Sequence, residues 1–72
     1  MVNVYVEARP KERQEGDLVT DYVVEDRSDS VLGVFPTEAE AVSWARNQGH
    51  YPLAARMWKL NDKKDPNHWR SA

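Results

Sequence analysis

The chain has 72 residues, a formal net charge of −2, no cysteine, 40% hydrophobic and 31% charged residues. A chain of this length forms one domain and buries only roughly 60% of the surface its unfolded form exposes. The absence of cysteine excludes disulfides and every thiolate-based zinc or redox site, which leaves self-association as the means of supporting a small core.

Val2, Val4, Val6 and Ala8 alternate with Asn3, Tyr5, Glu7 and Arg9, the period-two pattern of a half-buried strand, which Pro10 stops. Residues 1–9 contain no continuous apolar stretch of the length a signal peptide or membrane span needs, so a cytoplasmic address and no membrane partner are expected. The charged run at 11–17, with Gly16 near its end, reads as a solvated hairpin loop. Strand character resumes at 18–26, with Leu18, Thr20, Tyr22 and Val24 on one face and Val19, Asp21 and Val23 on the other. Neither face is purely polar, which predicts a central strand. Asp26-Arg27-Ser28-Asp29 favours a turn, and a short apolar strand follows over 31–35. Gly33 inside that strand predicts a bulge or the close approach of a large neighbour such as a tryptophan.

Thr37-Glu38-Ala39-Glu40 has the form of a capping box, and Gly49 is placed to end the helix in the left-handed conformation. Ala41, Val42 and Ala45 share one stripe with Trp44 at its flank, and these small residues let the helix sit close to a sheet. A fourth strand is expected over 54–60, with Trp58 in the core, then a polar turn over 61–67. Trp69 offers an anchor for a short fifth strand. The order predicts an α+β fold, an antiparallel β-meander of three to five strands with one helix packed on one face, β-β-β-α-β with a short final strand.

The acids and bases are unevenly distributed. Residues 1–40 hold ten acids and four bases, a balance of −6; residues 41–72 hold six bases and two acids, +4, and the two sum to −2. A chain polarised in this way can pair its halves, stack on a copy of itself or offer a basic face to an anion.

Chemistry-bearing patterns are scarce. His50 and His68 have no metal-site spacing between them, and the chain lacks glycine-rich phosphate loops, zincin helices and nucleophile elbows, so no catalytic residue, metal or cofactor is expected. An enzyme using His68 with Asp65 is the remotest reading, with no substrate implied. The candidate interaction surface is Arg56, Lys59, Lys63, Lys64, His68, Trp69 and Arg70, where aromatic rings and cations interleave. Such a pattern can stack bases and neutralise phosphates, with Trp69 stacking and Arg56, Lys59, Lys63, Lys64 and Arg70 contacting phosphate. Tryptophans in a small domain also fill cores, and the chain is acidic overall, which favours a protein partner over nucleic acid.

The run Phe35-Pro36-Thr37-Glu38-Ala39-Glu40-Ala41 opening a helix after three strands, with a strand and a polar turn behind it, resembles the small bacterial proteins of the DUF2188 type. Where those proteins carry an Asp-Gly-Arg turn, this chain has Asn61-Asp62-Lys63-Lys64-Asp65-Pro66. The resemblance implies the architecture and a bacterial origin; it supplies no functional residues. The reading that follows is a small cytoplasmic protein-interaction module, with a homodimer through a sheet edge or the Trp69 region as its form, and the alternative is single-stranded nucleic-acid or polyanion binding through the basic, Trp-containing C-terminal part.

Overall fold

The computed structural model describes residues 2–10, 16–56 and 61–72. Its elements run β1 (Asn3–Arg9), β2 (Asp21–Glu25), β3 (Val31–Phe35), α1 (Glu38–Asn47), β4 (Tyr51–Ala55), a 3-10 turn (Pro66–His68) and β5 (Trp69–Ser71). The strands form one sheet in the order β3-β2-β1-β4-β5, with α1 packed on one face, an α+β fold. Three of the pairings are antiparallel; β1 and β4 run parallel, with Asn3 opposite Tyr51 and Val6 opposite Ala54. The sheet is therefore a three-strand meander whose chain crosses through α1 to the far side of β1, because a parallel neighbour requires a crossover connection.

Local chemistry accounts for the ends of the helix. The Thr37 hydroxyl accepts a hydrogen bond from the Glu40 amide at 3.2 Å, with Glu38 and Glu40 at the positive end of the helix dipole. Gly49, at φ +81°, ends α1 in the left-handed region. Ala41 and Ala45 are fully buried and bring α1 against Val4, Val6 and Val24, while Tyr22, Phe35, Val42 and Trp44 close the rim of this core. The Phe35 and Trp44 rings lie 5.5 Å apart.

Two expectations change, and the one at Gly33 is made specific. The strand expected at 18–26 starts at Asp21, and Leu18 is 85% exposed. β4 lies at Tyr51–Ala55, ahead of the 54–60 span; of that span, 57–60, with Trp58, lie outside the described residues. Pro52 is tolerated inside the strand because its carbonyl, and hence its nitrogen, faces Ala72 beyond the end of β5, so its missing N–H removes no bond to β1. The neighbour that crowds Gly33 is Phe35, whose Cε1 would lie 2.8 Å from an added Cβ, and the β2–β3 register shifts between Val24 and Glu25.

Candidate functional site

The other face of the sheet carries the polar alternation of β1, yet it is not a solvated face. Tyr5, Glu7, Val23 and Glu25 are all buried. The described cover over them is the segment 61–69. Trp69 is only 5% exposed and meets Tyr5 edge-on, ring centroids 4.8 Å apart, while its indole N–H donates to the Asp62 carbonyl at 2.9 Å. Asn61 Nδ2 donates to the Glu7 carboxylate at 3.3 Å.

Lys63 is the central tie. Its ammonium lies 3.1 Å from the Glu25 carboxylate, bonds Asp29, and donates to the Asp26 carbonyl at 2.8 Å, with the Tyr5 ring centroid 5.4 Å away. Burial lowers the pKa of this ammonium, but the bonds it donates to Asp29 and Glu25 outweigh burial and hold it above the ordinary lysine value. The turn that Lys63 grips is itself organised: Asp26 Oδ1 accepts from the Ser28 and Ser30 amides at 2.8 and 3.0 Å, and Asp29 takes a positive φ of 67° that aspartate tolerates.

His68 supports the same segment. Its Nδ1 accepts from the Asp62 amide at 2.8 Å, which places the neutral ring's proton on Nε2, 3.3 Å from the Asp65 carboxylate. Asp65 also caps the 3-10 turn by accepting from the Asn67 amide at 3.0 Å. Both ring nitrogens thus take part in holding the loop.

The expected surface is therefore dispersed. Trp69 is buried, and the Lys63 ammonium is paired with Glu25 and Asp29. Arg70 emerges on the helix face and pairs with Glu38. Arg56 and Lys64 are exposed, His68 is half-buried, and Lys59 lies outside the described residues. Sequence reasoning missed Tyr5, Glu7, Glu25 and Asn61, because a polar face on a strand reads as solvated until its cover is known. It also missed Arg27, which folds beside Lys64 through the Lys63 tie.

Two adjoining hollows open along the segment's edge. The larger, about 740 Å³, is lined by the acids Glu7, Asp29 and Asp62 together with Asn61. The smaller, about 380 Å³, lies over β1, β4 and β5 and is lined by Tyr5, Leu53, Pro66 and Trp69 with Asn3 and Ser71. Arg27, Lys63 and Lys64 border both. Among the described residues no cluster of histidine, aspartate and glutamate suits a metal ion, and no helix is long and apolar enough to cross a membrane.

Comparison of the chain with protein-family models, with curated proteins and with solved structures found no match.

Proposed function

We propose that this domain is a small cytoplasmic protein-interaction module that pairs with a second copy of itself along β3. The observation that carries this reading is the character of that edge strand. Val31-Leu32-Gly33-Val34-Phe35 contains no charged residue, and Val31 and Val34 are 56% and 45% exposed at the open side of the sheet. An edge strand has unpaired backbone donors and acceptors, and folded proteins usually guard it with charges, proline or brevity. The opposite edge, β5, is guarded in this way: it has three residues and carries Arg70.

A second copy suits the exposed edge because a two-fold contact pairs a strand with itself. An antiparallel β3 pair centred on Gly33 sets the apolar Leu32 of one copy beside Val34 of the other and opposes no like charges within the strand. The apolar surface covered adds to the support of a core that is small for want of chain length.

Sedimentation equilibrium of the full chain, from low to high micromolar concentration, tests the reading. The wild type should pass from monomer to dimer, and Val34→Lys, exposed in the monomer, should remain folded and monomeric. A wild type that stays monomeric across that range would sink the proposal.

A further inference from the structure

We propose that the smaller hollow, walled by Arg27 and Lys64 and floored by Tyr5, Leu53 and Trp69, binds a small organic anion with an apolar body, of the aryl phosphate or aryl carboxylate kind. Its size, about 380 Å³, lies within the range of small-molecule sites. Its lining is mixed: Leu53, Pro66 and the edges of the Tyr5 and Trp69 rings supply apolar atoms, and Asn3 and Ser71 add neutral hydrogen-bonding groups. None of its described lining residues is acidic; the acids Glu7, Asp29 and Asp62 line the adjoining hollow instead.

The cations themselves point to an anion. Arg9, Lys63 and Arg70 are each paired with carboxylates, at Asp21, Glu25 and Glu38. The Arg27 and Lys64 side chains have no ion-pair or hydrogen-bond partner among the described residues, in a chain with 12 acids against 10 bases. They come from distant parts of the sequence and are brought together by the bond from the Lys63 ammonium to the Asp26 carbonyl, which pins the turn bearing Arg27 to the loop bearing Lys64. Positioning is thus supplied by Lys63, while the charges of Arg27 and Lys64 are left for a ligand. A site organised before binding spends less on ordering its side chains.

Nuclear magnetic resonance titration of the isotope-labelled full chain tests this, with phenyl phosphate as the probe and inorganic phosphate and oligothymidylate as comparisons. Phenyl phosphate should move the amide signals of Leu53, Lys64 and Ser71 and the indole signal of Trp69. Inorganic phosphate, which gains nothing from the apolar atoms of the lining, should bind about tenfold or more weakly. The Arg27→Gln/Lys64→Gln variant should keep the spectrum of the folded domain and lose the response to phenyl phosphate. The proposal is overturned if phenyl phosphate moves none of these signals, if the variant responds like the wild type, or if inorganic phosphate binds equally well. Oligothymidylate acting on these residues where phenyl phosphate does not would also overturn it and assign the cations to a polyanion.

Discussion

The Lys63 ammonium and the Glu25 carboxylate meet 3.1 Å apart on the helix-free face of the sheet, both largely withdrawn from solvent. Two charges in such a place are costly to bring in and costlier to separate, since removal of one leaves the other buried without its counterpart.

Lys63→Met should therefore destabilise the domain by about 3 kcal/mol, the lower part of the range for breaking a buried pair. Adding Glu25→Met to that variant should restore most of the loss. Urea unfolding of the two variants and the wild type measures both effects. A cost for Lys63→Met below about 0.5 kcal/mol would place this pair with ordinary surface bridges.

Two ion pairs set opposite pH windows. The Lys63 pKa is raised, burial being outweighed by Asp29 and Glu25, so its contribution is fully present below the ordinary value of 10.5 and is lost as pH climbs through the higher folded value. Asp21 accepts two hydrogen bonds from Arg9, at 2.6 and 2.7 Å, and these hold its pKa below the ordinary 3.8. Its contribution is present above that value and disappears as pH falls through the lower folded one. The stability gap between wild type and Asp21→Asn should hence be constant at neutral pH and narrow only below 3.8, which thermal unfolding across an acid series will show.

Gly33 and Phe35 should behave as a coupled pair. Gly33→Ala places a methyl group against the Phe35 ring and should cost about 1–3 kcal/mol, as overpacking does. In a Phe35→Leu background the same substitution should cost less. A double-mutant cycle that returns strict additivity would show that the ring does not occupy the space a Gly33 side chain would need.

The end of α1 offers a cleaner test. Gly49 has a positive φ but no atom within 4 Å of a built Cβ, so Gly49→Ala should cost about 1–2 kcal/mol from backbone conformation alone. Thr37→Ala, which removes the hydroxyl acceptor at the other end, should cost about 1 kcal/mol. Chemical denaturation of both variants measures the two costs.

The elements that were legible in the sequence are those whose causes are local. Thr37 and Gly49 announce the helix ends through their own hydrogen bonding and dihedral angles, and Ala41 and Ala45 mark its buried stripe by spacing alone. The Asp26–Asp29 turn and the apolar run of β3 are local in the same sense. The burial of Tyr5 and Glu7 is not, since it depends on a segment more than fifty positions away folding back over β1. Likewise Lys63 looks like one of two solvated lysines in a mixed-charge turn until the sheet brings Glu25 beneath it. Alternation reports which residues share a face, and only topology decides whether that face is covered. The start of β4 was missed for a related reason: it takes in Pro52, whose harmlessness inside a strand depends on which neighbour its nitrogen faces.

The edge-on contact of Tyr5 with Trp69 has a consequence for how the molecule folds. β1 needs β2, close behind it in sequence, on one side and β4, reached only after the helix, on the other, while its second face is closed by a ring from the far end of the described chain. The contacts that complete the centre are thus long in sequence separation, and closing them costs entropy before any are rewarded. Folding should for this reason be slow for so short a chain and all-or-none, with no stable hairpin or helix surviving alone. The domain is in effect a clasp, in which the first strand is secured only when the last has been laid down.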